Sequence, residues 1–209
     1  MSQPQQKSPS PPVVHSARRS GGWSGRHQIY YASALRAPAE LKRKGSSLKK
    51  EAEKIHSETG PVSLRKYRRR FEDYLTFAAT SQVLCAMAVE GLVNFYGVLR
   101  LGELYYTANL ERLPLAKKLE QVLQICDGFQ LPPNHRLLGL LGNLSKPRNE
   151  LVHPKAKEYK LGDPRIIDQS GPLYSEVNRS VESMKEFYQL FGSLSADTLA
   201  AVEFFRRAW

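Results

Sequence analysis

The stretch SQVLCAMAVEGLVNFYGVLRL, residues 81–101, is apolar on nearly every side when it is wound as a helix. A helix of that kind is either buried at the centre of a protein or crosses a membrane. Glu90 and Asn94 lie near its middle, and a charge at that depth in a bilayer is costly. The sequence therefore favours the buried central helix of a soluble protein, with no membrane as a partner.

The helical pattern continues upstream of this stretch. Apolar side chains recur there at helical spacing, at Phe71, Tyr74, Leu75 and Ala78. Residues 63–101 are therefore predicted to form one long helix or two joined ones. Residues 39–58 are strongly charged and also favour a helix, which Gly60 and Pro61 end.

Four further helices are predicted downstream. Pro114 suits a first helical turn and Gly128 suits a stop, so residues 114–126 form one of them. Asn134 is a candidate cap for a leucine-rich helix, and residues 173–193 and 196–208 complete the set after a loop rich in Gly and Pro. No segment alternates apolar and polar residues for long enough to form a sheet. The predicted fold is an all-α bundle of four to five helices.

The net charge of +11 is unevenly distributed over the 209 residues. Residues 1–50 hold 10 basic and 1 acidic residue, whereas residues 51–209 hold 21 and 19. The beginning of the chain is also rich in Pro, Ser, Gln and Gly, which is typical of disorder. Residues 1–27 are therefore predicted to be a disordered basic arm, residues 28–62 a charged helical extension or linker, and residues 63–209 the helical domain.

Two interpretations of the arm remain open. It is either a solubilising terminus, or a segment that captures RNA phosphates through Arg18, Arg19 and Arg26. It contains no apolar core of a secretory signal. Together with the two cysteines, Cys85 and Cys126, which have no metal-ligand spacing around them, this predicts a cytoplasmic protein without disulfides.

Motifs of metal or cofactor enzymes are not found in the sequence. It has no glycine-rich phosphate loop, no HExxH, no GxSxG and no paired cysteine ligands. We expect no metal and no cofactor. The remaining candidate for chemistry is the string KPRNELVHP, residues 146–154, in which Arg148 and Asn149 precede His153.

This string resembles the signature of the HEPN superfamily (higher eukaryotes and prokaryotes nucleotide-binding domain), in which four to six residues separate an Arg from a His and an Asn often directly follows the Arg. Four residues separate Arg148 from His153. Glu90 and Asn94 resemble a Glu and Asn pair that is common in the first core helix of that family. The resemblance implies an HEPN-like bundle over roughly residues 70–209. It further implies a ribonuclease that functions as a homodimer, such as a toxin or defence effector held in check by an antitoxin.

RNA carries its own nucleophile, the 2′-hydroxyl, so its cleavage requires a base, an acid and a cation for the phosphate. His153 has the chemistry of the base or acid, and Arg148 that of the phosphate ligand. Asn149 would orient the phosphate or the imidazole, and the products would be a 2′,3′-cyclic phosphate and a 5′-hydroxyl. The alternative is a non-catalytic HEPN-like module that binds RNA, a nucleotide or a protein.

Helix geometry adds two expectations. Glu90 and Asn94 share one face of a buried helix and need polar partners, for which Arg148 or Asn149 is the expected candidate. Arg148 and His153 would lie about 140° apart on an ideal helix, at about 100° per residue. A distortion or a second subunit is therefore needed to bring them together.

Overall fold

The fold comes from a computed structural model, which describes residues 13–15, 26–57, 61–152 and 170–207. These residues form seven helices and no strand, which confirms the all-α prediction. The helices are α1 (Arg26–Ser57), α2 (Pro61–Leu101), α3 (Glu103–Asn109), α4 (Leu115–Asp127), α5 (Arg136–Val152), α6 (Ser170–Gly192) and α7 (Ala196–Arg207).

Helix α2 is the centre of the bundle. It is one continuous helix of 41 residues, and each of the other six helices packs against it. One face of its most apolar part is fully buried, with no exposed surface at Ala88, Val89, Leu92, Val93 and Tyr96. The Tyr188 hydroxyl on α6 donates to the Ala88 carbonyl at 3.0 Å, and the Phe191 ring meets the Tyr96 ring edge-on at 5.3 Å. The central position predicted for residues 81–101 is confirmed.

Helix α1 is longer than the sequence predicts. It begins at Arg26, rather than near residue 39, and continues through Pro38. A proline in a helix interior costs about 3 kcal/mol, so other contacts must offset it. Tyr31, Ala34 and Leu41 are buried, and Tyr31 stacks on Tyr188 at 4.5 Å. The segment predicted to be a charged extension thus contributes one apolar face to the core.

Helices α1 and α2 run antiparallel as a helical hairpin. Arg70 of α2 donates to the Ser47 hydroxyl of α1 at 2.8 Å and pairs with Glu51. Gly45 of α1 lies against the Tyr74 ring of α2, where a Cβ atom would be 3.6 Å from the ring, an ordinary packing distance.

Within the predicted arm, residues 1–27, the structure describes residues 13–15 and the two residues that begin α1. The His15 backbone N–H donates to the Arg100 carbonyl at 2.7 Å. The last carbonyls of a helix have no partner within the helix, so this bond satisfies one at the end of α2. The segments containing Arg18 and Arg19 lie outside the described residues, and the Arg26 side chain is not described.

Three buried tyrosines make the fold sensitive to alkaline pH. Burial raises the pKa of Tyr96, Tyr106 and Tyr188 above the ordinary value of 10.0. Above about pH 10 these groups ionise in the unfolded chain but remain neutral in the folded one. The free energy of unfolding should therefore fall by about 1.4 kcal/mol per pH unit for each tyrosine. Urea unfolding at a series of pH values measures this slope.

Tyr188→Phe should make the fall of the unfolding free energy with pH shallower by about 1.4 kcal/mol per pH unit, because one ionising phenol is lost. Tyr188 is chosen because it is the most deeply buried of the three phenols. Tyr105→Phe is the matched control, since its ring is only half-buried. An alkaline slope that is the same in wild type and Tyr188→Phe would contradict the prediction.

Candidate functional site

Arg148 and Asn149 lie near the C-terminal end of α5. The helix continues through Pro147 to Val152, so the proline does not end it. Arg148 is half-buried, Asn149 is exposed, and the Arg148 guanidinium donates to the Asn149 side-chain oxygen at 3.5 Å, the outer limit of a hydrogen bond. His153 follows the last residue of α5 and lies outside the described residues.

Arg148 differs from several other arginines in lacking a carboxylate partner within the described part of the chain. Arg68 pairs with Glu72 at 3.0 Å and Arg136 with Glu186 at 2.7 Å. The hydrogen bond that the structure shows for the Arg148 guanidinium, among the described residues, is the long one to the Asn149 amide oxygen. Its guanidinium therefore retains donors for an oxyanion.

Asn94 is bonded to other partners than the sequence predicts. Its side-chain oxygen accepts from the Tyr106 hydroxyl on α3 at 2.6 Å and from the Lys118 ammonium on α4 at 2.9 Å. Among the described residues, no hydrogen bond or ion pair joins Asn94 or Glu90 to Arg148 or Asn149. The partners of the Asn94 oxygen thus come from α3 and α4.

Lys118 is the charged residue at the centre of this junction. Only 3% of its surface is exposed, and burial lowers the pKa of its ammonium group. The negative charges of Glu90 and Glu111 oppose that shift. A buried cation requires such partners, so Glu90 supports the charged form of Lys118. The two bonds of Asn94 connect α2 with α3 and α4.

A second buried network surrounds Arg100 at the end of α2. Its guanidinium contacts Asp127 at 3.3 Å and Asp197 at 3.0 Å, and donates to the Cys126 carbonyl at 2.9 Å and to the Tyr96 hydroxyl. These contacts connect α2 with α4 and α7. Cys126 beside it is a poor nucleophile, because burial raises the pKa of its thiol to about 12.

Sequence reasoning missed this network, although the sequence contains a signal for it. Arg100 is the single cation between residues 81 and 101, within an otherwise apolar helix. A cation in such a place needs a carboxylate, and Tyr96, one turn earlier, lies on the same face. Which carboxylate it meets depends on how α4 and α7 pack, and local patterns do not encode that.

The described residues contain no group of three or more His, Cys, Asp or Glu side chains placed to hold a metal ion. One helix among them, α2 from Arg65 to Leu101, is long and apolar enough to cross a membrane, and 61% of its most apolar window is buried inside the structure. Such burial is consistent with the core helix of a soluble protein.

Comparison with known proteins adds no further information. No protein-family model, no curated protein and no solved structure matches the chain. The HEPN resemblance therefore depends on the sequence strings around Arg148 and Glu90 alone.

Proposed function

We propose that this protein is a metal-independent endoribonuclease of the HEPN type that acts as a homodimer. The observation that supports it is the placement of Arg148 and Asn149. They are adjacent and partly exposed at the end of α5, with no carboxylate paired to Arg148 in the described residues. His153, four residues after Asn149, supplies the proton-transfer group.

In the proposed reaction the 2′-hydroxyl of RNA is the nucleophile. His153 of one subunit removes its proton, and the 2′-oxygen forms a bond to the adjacent phosphorus. The bond from phosphorus to the 5′-oxygen breaks, and the partner copy of the same histidine protonates that oxygen. Arg148 binds the phosphate oxygens, which gain charge in the transition state, and Asn149 holds the phosphate or the imidazole in place.

Both subunits are required in this proposal because one chain contains a single suitable histidine. The biological setting that goes with it is a cytoplasmic toxin or defence effector, with an antitoxin as its protein partner. No cofactor is needed, since the substrate supplies the nucleophile and the protein supplies the acid, the base and the cation.

The second candidate function is a non-catalytic HEPN-like module that binds RNA, a nucleotide or a protein. The bonds of Asn94 favour it: they end on Tyr106 and Lys118, and the described residues show no connection from there to Arg148. In this alternative, Arg148 is a surface residue that contacts a partner without taking part in chemistry.

Incubation of the purified protein with RNA in the presence of EDTA tests the proposal. We expect cleavage that EDTA does not inhibit, with 2′,3′-cyclic phosphate and 5′-hydroxyl ends, because no metal-bound water is involved. Sequencing with end-specific ligation identifies the products. RNA that stays intact, or products with 3′-hydroxyl ends, would overturn this mechanism, and intact RNA that is bound would favour the module.

A further inference from the structure

The second half of α1 and the beginning of α2 together carry about half of the net charge of the protein. Residues 40–73 contain 11 basic and 6 acidic residues, a balance of +5 out of +11, and residues 74–209 contain 15 and 14. Seven of the ten cations that the sequence assigns to the first 50 residues are on α1, and five of them lie in its second half: Lys42, Arg43, Lys44, Lys49 and Lys50. The positive charge is therefore concentrated on a folded surface as well as in the arm.

A cleft of about 130 Å³ lies between the two helices of the hairpin. A cavity needs about 10–15 Å³ of such volume to hold one water molecule, so the cleft has room for a phosphate group. Its lining is mostly polar and comprises Arg43, Lys44, Ser47, Leu48, Arg70 and Asp73. Arg70 already donates to the Ser47 hydroxyl at 2.8 Å, which orients both groups at the cleft.

Two more cations extend the cleft along α2. Lys66 precedes the lining residue Arg70 by four positions, and Arg69 precedes the lining residue Asp73 by four. Residues four apart lie on the same face of a helix, so these side chains form one stripe along α2. Lys66 and Arg69 are both exposed, and neither has a carboxylate partner among the described residues. The positive charges of Lys66 and Arg69 are therefore accessible to a ligand from solvent.

The carboxylates near the cleft do not close it to an anion. Glu40 pairs with Arg43 at 2.5 Å, but the Arg43 side chain is 70% exposed. Exposed ion pairs of this kind contribute little, typically about 0–1 kcal/mol, so a phosphate can replace the carboxylate. The charged residues that line the cleft are Arg43, Lys44, Arg70 and Asp73. Glu40 and Glu51 pair with two of these cations, Arg43 and Arg70.

The apolar residues indicate which anionic partner this surface fits. Helices that bind membrane surfaces place large apolar side chains beside their cations. The large hydrophobic residues exposed in the described part lie elsewhere, at Val13, Val14, Ile29, Leu35, Leu104 and Leu199. The aromatic ring next to the cleft lining is Phe77, which is half-buried and has the Lys44 ammonium over its face at 5.4 Å, so that face is not available for stacking on a base. These features favour contact with a phosphodiester backbone, without recognition of bases.

We propose that the cleft side of the helical hairpin, with Arg43, Lys66 and Arg69 at its rim, binds the phosphate backbone of a nucleic acid irrespective of its sequence. This site is separate from Arg148 and His153 and does not depend on whether the protein cleaves RNA. It also differs from the arm residues Arg18, Arg19 and Arg26, which the sequence alone suggests.

Three variants with matched loss of charge test the site, all in the full-length His153→Ala protein so that cleavage cannot affect binding. The hairpin variant is Arg43→Gln/Lys66→Gln/Arg69→Gln. The surface control is Arg112→Gln/Lys117→Gln/Arg179→Gln, three exposed cations outside the hairpin. The arm variant is Arg18→Gln/Arg19→Gln/Arg26→Gln. Circular dichroism and thermal unfolding verify that each variant keeps its helices.

Fluorescence anisotropy then measures binding of labelled oligouridylate, oligoadenylate and single-stranded DNA of about 20 nucleotides over a range of salt. The hairpin variant should bind at least about tenfold more weakly at low salt, with a salt slope smaller by about 2, since each lost phosphate contact removes about 0.7. The surface control should remain within about twofold of its parent. Uridylate and adenylate should bind alike.

Several outcomes would overturn the site. An equal loss in the hairpin variant and the surface control would show an effect of net charge alone, and a loss confined to the arm variant would place the contact in the arm. Vesicles of phosphatidylserine and phosphatidylcholine provide the remaining comparison: hairpin-dependent binding to them without binding to oligonucleotides would assign the surface to membranes. If the hairpin variant binds more weakly and the protein with its natural His153 leaves RNA intact, this site is supported while the ribonuclease proposal is contradicted.

Discussion

Replacement of Arg100 by methionine is expected to lower the free energy of unfolding by about 3–5 kcal/mol, the range for removal of one partner from a buried ion pair. Arg100 is only 5% exposed and contacts Asp127 and Asp197, which come from two different helices. Methionine fills a similar volume without charge, so the loss comes mainly from carboxylates left without their cation.

The geometry explains why the change should be costly. Asp127 still accepts from Tyr96 at 2.8 Å and from Ser195 at 3.0 Å in the variant, but these neutral donors do not balance its charge. The arginine itself is imperfectly satisfied, since its Nε is buried without a hydrogen-bond partner. The expected loss is therefore the cost of leaving buried carboxylates without a cation, and it does not measure how much the intact ion pair stabilises the fold.

Urea unfolding of Arg100→Met at neutral pH gives the measurement. Arg112→Met is the control, because Arg112 is exposed and such changes usually stay within about 0.5 kcal/mol. Adding Asp127→Asn to Arg100→Met should recover part of the loss, since it removes the uncompensated charge, and the coupling energy should exceed about 1 kcal/mol. Additive effects of the two substitutions would contradict the buried pair.

The sequence predicts the helices of the bundle with good agreement wherever local signals are strong. Residues 63–101 are predicted as a helix and α2 covers Pro61–Leu101, while residues 114–126 become α4, Leu115–Asp127. Gly128 has a φ of 65°, the left-handed conformation that glycine adopts at a helix end. Patterns of this kind depend on neighbouring residues, so a sequence can reveal them.

The first half of α1 and the whole of α3 are missed for a physical reason. Pro38 and the polar residues before α1 argue locally against a helix, and the stabilising contact, Tyr31 on Tyr188, joins residues far apart in the chain. Tyr106 on α3 is held by Asn94 and by the space that Gly97 leaves for its ring. Contacts across the bundle decide both elements.

The partners of polar residues show the same limit. The spacing of Glu90 and Asn94 correctly indicates that they share a face needing polar partners, but it does not identify Lys118 as the partner of Asn94. Net charge is equally ambiguous. The sequence shows an excess of cations over residues 1–50, and only the structure shows that seven of those ten cations lie on α1, which pairs with α2.

His153→Ala is expected to reduce RNA cleavage by about 10²–10⁴-fold, the usual contribution of a general acid or base. Arg148→Ala should cause a loss of similar size because the phosphate would lose its bidentate ligand, and Arg148→Lys should restore only part of it, since an ammonium group lacks the planar pair of donors. Single-turnover cleavage of a labelled RNA measures both effects.

The controls are chosen to separate chemistry from binding and folding. His135→Ala removes another histidine, one at the start of α5 whose ring meets Phe129, and cleavage should be unaffected. The hairpin variant should weaken RNA binding and leave the cleavage rate at saturating RNA unchanged, because its cations do not contact the reacting phosphate. His153→Ala should do the reverse, with lost cleavage and unchanged affinity. Undiminished cleavage by His153→Ala would refute the proposed mechanism, because no other residue in it transfers the proton of the 2′-hydroxyl.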